Sequence, residues 1–330
     1  MNKAVIADIG GTNARFAVVD AAGVINKETV VDSSGFFIDP IKAVRGYLRD
    51  VGEESVKVGV LAVAGPVVEG RLENKDMNFS CSIRELGDSL AMDRFDIIND
   101  FLAQALSVPY LKDDDYIKIS ERGKKRDNSP MAVIGPGTGL GAGILVPLQD
   151  GSYQAIATEG GHVSAPFAVD DRVRPIIENV YEIMTEKGEN YISAEDLISG
   201  RGLPNVYAAV KKSRKEDFNI IPKNSEITRL MVAGDAAAVE TFNVFFYLLG
   251  VVAGNYAISC GAVGGVYLAG GMLLVPDIYH AFLKSEFREA FEDKGAASVF
   301  ASSIPTFLIT HKHPAFLGLS LLAKNKLKDM

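Results

Sequence analysis

The sequence has few of the residues that bind soft metals or form disulfides, since its 330 residues include only two cysteines and four histidines. It also contains no tryptophan. Cys81 and Cys260 are far apart and lack metal-ligand spacing, so we expect buried thiols without a chemical role. Because no signal-peptide pattern is present near the N-terminus, the expected location is the reducing cytoplasm.

The chain also lacks an excess of positive charge. Its net charge of −8 and pI of about 5.2 argue against a nucleic acid or an anionic membrane as partner. Residues 241–276 contain no charged side chain, but glycines such as Gly250 and Gly254 interrupt them and no basic flank is present. We therefore predict a buried helix over 235–259 and no membrane span. The length and the 48% of hydrophobic residues suffice for two domains with large cores.

The N-terminal segment 4–20 contains the first candidate site. Two apolar, β-branched runs separated by a glycine turn predict a β-hairpin. The turn consists of Gly10, Gly11, Thr12 and Asn13. Glycines let backbone N–H groups approach an anion, and Asp8 beside the turn would repel a phosphate unless a divalent cation lay between them. The segment indicates Mg-nucleotide binding; the alternative is an ordinary hairpin.

The junction of a strand with Asn99 and Asp100 is the second candidate. Up to this point we predict strands over 24–31, 56–64 and 95–98 and helices over 39–51 and 82–90. A carboxylate at the carboxyl end of a parallel strand lies where open α/β sheets bind ligands. Asp100 could act as a general base and Asn99 could bind a polar substrate. The alternative is that Asp100 only caps the helix that follows.

A glycine-rich run follows a charged connection. Residues 112–129 are charged and turn-rich, which indicates a domain boundary. Glycine then occupies every second position from 135 to 143, but residues 144–146 indicate a strand and not the helix that a dinucleotide-binding motif requires. We predict a second glycine hairpin that could close on phosphate; the alternative is a plain flexible hairpin.

Glu159, His162 and Glu195 form the third candidate group. The other histidines lack partner spacing, so a metal site is disfavoured, and these donors and acceptors suit the hydroxyls of a sugar. Ser193 is predicted to cap a helix that begins with acidic residues, so the alternative for Glu195 is a capping or first-turn acid. Further on we predict strands over 266–269 and 304–309 and helices over 277–291 and 314–324.

Taken together, these segments resemble the bacterial glucokinase family. The motifs in the family's order are Asp8-Ile9-Gly10-Gly11-Thr12-Asn13, Ile98-Asn99-Asp100-Phe101, the glycines of 135–143, Glu159-Gly160-Gly161-His162, Ser193-Ala194-Glu195, Leu268-Ala269-Gly270-Gly271 and the run FREAFEDKG over 287–295. The resemblance spans nearly the whole chain. It implies an α/β fold of the hexokinase–actin superfamily, with two ribonuclease-H-like (actin-like ATPase) domains and nucleotide and sugar in the cleft between them. The implied small domain covers 1–111, completed by a C-terminal helix over 312–330, and the large domain covers 112–311.

The resemblance also implies an activity, the phosphorylation of D-glucose to glucose 6-phosphate with ATP and Mg²⁺. Asp100 would take the proton from the 6-hydroxyl, and Asp8 would hold Mg²⁺ through water. The implied sugar ligands are Asn99, Asp100, Glu159, His162 and Glu195. The implied nucleotide contacts are Ala7, Asp8, Ile9, Gly10, Gly11, Thr12, Asn13, Gly137, Thr138, Gly139, Gly270 and Gly271.

Two departures from the relatives refine these expectations. Many relatives have a Thr-Asn…Trp run where this chain has Lys75-Asp76-Met77-Asn78-Phe79, so we do not carry over a peripheral sugar contact. The related ROK branch has a cysteine-rich zinc motif after its histidine, and since no cysteine lies near His162 we expect no zinc. Relatives are usually homodimers, which is the expectation here.

Two alternative functions stay open. One is a kinase for another hexose, such as fructose, mannose or glucosamine. The other is a sugar-sensing regulator without enzymatic activity. The regulator would need a DNA-binding extension, and we expect none because the chain begins directly at the first strand.

Overall fold

The computed structural model describes residues 2–10, 13–74, 78–167 and 170–328. The strands are β1 (Lys3–Ile9), β2 (Asn13–Asp20), β3 (Ile25–Asp32), β4 (Val58–Val63), β5 (Val67–Val68), β6 (Arg71–Asn74), β7 (Phe79–Ser82), β8 (Arg94–Asn99), β9 (Tyr116–Lys118), β10 (Met131–Pro136), β11 (Leu140–Pro147), β12 (Tyr153–Thr158), β13 (Val266–Leu268) and β14 (Thr306–Ile309). The α-helices are α1 (Ser34–Ile38), α2 (Pro40–Asp50), α3 (Ile83–Leu90), α4 (Asp100–Ser107), α5 (Arg174–Glu186), α6 (Leu203–Ser213), α7 (Asn224–Val232), α8 (Ala236–Cys260), α9 (Pro276–Phe282), α10 (Phe287–Glu292), α11 (Ser298–Ser302) and α12 (Pro314–Lys328).

The chain divides into two units. The first comprises Met1–Lys112, Tyr153–Ala157 and His311–Met330, and the second comprises Asp113–Ser152 and Thr158–Thr310. The first unit therefore takes its last helix, α12, from a part of the chain that follows the whole second unit.

The sheet of the first unit has the order β3-β2-β1-β4-β8. Strand β1 pairs antiparallel with β2 and parallel with β4, which pairs parallel with β8. Because side chains alternate along a strand, Ala4 and Ile6 join a core cluster that also contains residues of α4 and α12, while Val5 and Ala7 join a cluster with residues of α1, α2 and α3. Helices therefore cover both faces, and the parallel strands end at a shared edge.

The second unit is built on another mixed sheet. Strands β10 and β11 form an antiparallel hairpin, β10, β13 and β14 are parallel, and β9 pairs antiparallel with β14. Helix α8 is long and apolar enough to span a membrane, but 67% of its apolar window is buried, including the phenylalanines Phe242, Phe245 and Phe246. It is the central core helix of this unit, as its sequence predicts, with Asp235 as N-cap.

Two secondary-structure predictions in this unit are wrong in detail. The helix predicted over 277–291 is two helices, α9 and α10, because Ser285 accepts from the Phe287 amide and donates to the Phe282 carbonyl, so its hydroxyl competes with the helix. The helix predicted after Ser193 is a series of turns, in which the Ser193 amide and hydroxyl both donate to the Asp196 carboxylate.

Two helical glycines are expected to respond in opposite directions to alanine. A Cβ at Gly318 of α12 would lie 2.0 Å from the Ala103 carbonyl oxygen of α4, whereas a Cβ at Gly46 of α2 meets nothing within 4 Å. We expect Gly318→Ala to lower the free energy of unfolding by about 2–3 kcal/mol through overpacking. We expect Gly46→Ala to raise it by about 0.5–1 kcal/mol through helix propensity. Urea unfolding of both variants measures this; equal effects would contradict the packing of α12 on α4.

Candidate active site

The first glycine hairpin joins β1 to β2. The Gly10 amide donates to the Asn13 carbonyl at 3.0 Å across the turn. Ala7 and Ile9 are buried in the core, so their predicted contacts with a nucleotide are limited to the backbone. Gly11 and Thr12, which were also predicted to bind phosphate, lie outside the described residues.

Asp8 lies on the sheet face opposite to its neighbours Ala7 and Ile9, and its side chain is 24% exposed. Its pKa is raised to about 6, chiefly by burial and also by the negative charge of Asp100, while the positive charge of Arg15 acts in the opposite direction. An Arg15 guanidinium nitrogen lies 3.9 Å from the Asp8 carboxylate. Arg15 is not among the predicted site residues, although a charged residue inside the apolar run of β2 is a usable signal.

Asp100 lies at the same edge of this sheet. The register aligns Asp8 with Ala62 and Ala62 with Ile98, so β8 ends two strands away from Asp8, about 10 Å across the sheet. Asp100 is the first residue of α4 and accepts from the Phe101 amide at 2.9 Å. Burial raises its pKa above the ordinary range despite that hydrogen bond. Two carboxylates that are costly to ionise thus lie close enough to repel each other.

Asn99 has the capping role that was the alternative for Asp100. Its Oδ1 accepts from the amides of Phe101 and Leu102, and its Nδ2 donates to the Gly65 carbonyl. The N-cap is therefore Asn99, and the Asp100 carboxylate is left for another function. A polar substrate could still use the second N–H of the Asn99 amide.

The second glycine hairpin joins β10 to β11. The Gly137 amide donates to the Gly139 carbonyl at 2.8 Å, which closes the turn around Thr138. Gly270 lies against the base of this hairpin, with φ of +100° and with its ideal Cβ position 2.4 Å from the Pro136 carbonyl oxygen. Only glycine fits there, and Gly271 then begins a short 3-10 turn. The predicted nucleotide contacts of this unit are thus brought together.

The predicted sugar ligands of the second unit surround the start of β11. Glu195 Oε2 accepts from the Leu140 amide at 2.8 Å, and the Glu195 amide donates to the Gly161 carbonyl at 2.9 Å. Glu159 precedes the 3-10 turn Gly160–His162 and His162 ends it; their side chains are 3.8 Å apart and more than half exposed. No local sequence pattern indicates the contact between Glu195 and Leu140, because the two residues are 55 positions apart.

In the parts of the chain that the structure describes, no group of three or more His, Cys, Asp or Glu side chains could hold a metal ion. A catalytic cation held by one carboxylate, water and substrate phosphates does not need such a group.

A sheet that contains a glycine-turn hairpin in each unit, with a carboxylate beside the first turn, defines a protein of the actin-like ATPase fold. A crystal structure of a glucokinase from an Antarctic psychrotroph shares this fold with a TM-score of 0.83 and 32% sequence identity, covering 98% of this chain and 99% of that one. The family model described as Glucokinase matches residues 5–326. The glucokinase of Paramagnetospirillum magneticum is 37% identical over 96% of this chain and 95% of its own length. The chain therefore belongs to the glucokinase family, which confirms the resemblance and the fold class predicted from the motifs.

Some members of the family are longer proteins. A relative from Burkholderia thailandensis named Bifunctional protein glk is 35% identical over 98% of this chain, which spans about half of that relative, 49% of its length. The family similarity thus applies to one half of a two-function protein as well as to a relative of the same length.

Proposed function

We propose that this protein is a glucokinase that transfers the γ-phosphoryl group of ATP to the 6-hydroxyl of D-glucose, with Asp100 as general base. The observation that carries the proposal is the pair of carboxylates, Asp8 and Asp100, at one edge of the first sheet. Burial is the main reason that both pKa values are raised, and the negative charge of Asp100 also raises that of Asp8. A raised pKa makes Asp100 a better acceptor for a hydroxyl proton near neutral pH.

Each group in the proposed site has a distinct role. Phosphoryl transfer requires mainly positioning and stabilisation of charge. The glycine turns at Gly10 and Gly137 would present backbone N–H groups to the phosphates, and Gly270 and Gly271 would lie beside the adenosine. Glu159, His162 and Glu195, together with Asn99, would orient the sugar hydroxyls. Asp100 would then receive the proton of the 6-hydroxyl as its oxygen attacks phosphorus.

The residues at the first hairpin fit a bound Mg²⁺. Asp8 is an oxygen donor whose ionised form is disfavoured by burial and by Asp100, so a cation beside it would relieve that cost. Asp8 would hold the ion through water, and the bound ion would neutralise charge on the phosphates. We propose in addition a cytoplasmic homodimer that acts in glycolysis without zinc, nucleic acid or membrane; these rest on the family resemblance and the acidic composition.

The test is turnover in a coupled assay of glucose 6-phosphate formation with MgATP and a panel of sugars at equal concentration. We expect kcat/KM for glucose to exceed that for fructose, mannose and glucosamine by at least tenfold. Preference for another sugar would favour the alternative hexose kinase. Glucose binding without turnover of any sugar would favour the sensor.

A further inference from the structure

The turn of the second hairpin is held from one side by residues 195–201, which we name the brace. The Gly200 amide donates to the Gly137 carbonyl at 2.8 Å, and the Arg201 amide donates to the Thr138 carbonyl at 3.3 Å. Glu195 completes the contact by accepting from the Leu140 amide. The brace therefore touches the hairpin turn at both of its ends and in its middle.

The fit between Glu195 and the hairpin is tight. Its carboxylate lies so near Gly139 that a Cβ there would be 2.4 Å from Glu195 Oε2. The Glu195 side chain is only 16% exposed, and an Arg201 guanidinium nitrogen lies 3.8 Å from its other oxygen. Its position is thus fixed by contacts on two sides, which a residue that served only as a sugar ligand would not need.

The brace is itself held by Asn224, the first residue of α7. The Asn224 side-chain amide donates to the Gly200 carbonyl, and a Cβ at Gly200 would lie 3.5 Å from the same amide nitrogen. Asn224 belongs to none of the sequence motifs described above. The chain of contacts Asn224–Gly200–Gly137 links α7 to the turn through one side-chain and one backbone hydrogen bond.

The braced hairpin leaves particular N–H groups for an anion. The Gly137 amide donates to Gly139 and the Leu140 amide to Glu195. Within the described residues, no hydrogen bond occupies the amides of Thr138 and Gly139. A glycine turn that is free to move would lose conformational entropy on binding, so contacts that fix it beforehand raise its affinity for a phosphate.

We propose that Glu195 and Asn224 are positioning residues for the phosphate-binding hairpin. This proposal rests on the proposed function, because it takes the hairpin to bind nucleotide phosphates.

The test compares Glu195→Ala with Glu195→Gln, since both remove the same negative charge but only glutamine keeps an oxygen that can accept from the Leu140 amide. We expect MgADP, titrated calorimetrically without sugar, to bind the alanine variant about tenfold more weakly than the glutamine variant. The KM for MgATP should show the same ratio. Equal affinities in the two variants overturn the positioning role of Glu195.

Asn224→Ala provides a second and independent test, with Ser225→Ala at the next, exposed position as its control. We expect Asn224→Ala to weaken MgADP binding by about three- to tenfold while the Kd for glucose stays unchanged, and Ser225→Ala to change neither. A lower thermal stability with unchanged MgADP affinity would reduce Asn224 to a structural residue. If the wild type fails to bind MgADP at all, the proposed function fails instead, so the two failures are distinguishable.

Discussion

Asp100→Asn is expected to lower kcat for glucose phosphorylation at least 100-fold while glucose still binds. The amide preserves the size of the side chain and can still accept from the Phe101 amide, but it cannot take the proton of the 6-hydroxyl. General-base catalysis contributes about 10²–10⁴ in rate. The effect should fall on kcat, because proton transfer belongs to the transition state and not to ground-state binding.

A matched control separates this loss from an effect of charge alone. Asp88 of α3 is a carboxylate of the same unit whose side chain is 75% exposed, so Asp88→Asn should leave kcat within about twofold. The measurements are coupled-assay kinetics and calorimetric glucose binding for the three proteins. If Asp100→Asn keeps more than a tenth of the wild-type kcat, Asp100 is not the base. If glucose binding disappears as well, Asp100 is chiefly a sugar ligand.

Asp8→Asn is expected to make the protein more stable and nearly inactive. The pKa of Asp8 rises from 3.8 to about 6 on folding, which corresponds to roughly 3 kcal/mol against its ionised form at neutral pH. An uncharged amide avoids that cost, so we expect the free energy of unfolding at pH 7.5 to rise by about 1–3 kcal/mol without Mg²⁺ or nucleotide. The kcat/KM for MgATP should fall by about 100-fold or more, because the carboxylate proposed to hold the cation is absent.

The pH dependence of this stability difference has a definite sign. Because the pKa in the folded protein exceeds that in the unfolded chain, the folded wild type binds the extra proton between about pH 4 and pH 6, and its stability falls as pH rises through that window. The advantage of Asp8→Asn should therefore be full above about pH 6 and shrink towards pH 4. Urea unfolding with EDTA measures it. A variant that is less stable than the wild type at pH 7.5 would show that the Arg15 contact outweighs burial and repulsion.

Local patterns in the sequence predicted most of the first unit. The Asp39 cap and Pro40 define the start of α2, and Ser82 caps α3 as predicted, because these signals act within one turn of a helix. The hairpin of β1 and β2 follows from two apolar, β-branched runs on either side of glycines. In these cases the residues that decide the structure are neighbours in sequence.

The interactions that sequence analysis missed join distant residues. Nothing near Glu195 indicates that its carboxylate would accept from Leu140, and the turns after Ser193 replace a helix because Ser193 and Asp196 bond to each other. The sequence also did not indicate which of Asn99 and Asp100 caps α4 and which is left for another function. Either side chain could cap α4, and only the position of Gly65, which accepts from the Asn99 amide, favours one of them.

The origin of α12 affects how a newly made chain can fold. This helix packs on α4 and on the face of β1 and β4 that carries Ala4, Ile6 and Val60. The ribosome must nevertheless translate the entire second unit before α12 emerges. Until then, the sheet face around Ala4, Ile6 and Val60 lacks the part of its cover that α12 provides, and its exposed apolar surface is available to other nascent chains. Helix α4, whose first residue is Asp100, also lacks its packing partner during that interval. The helix that begins with Asp100 is therefore fully packed only late in synthesis, and the apolar face that α12 covers favours aggregation until that point.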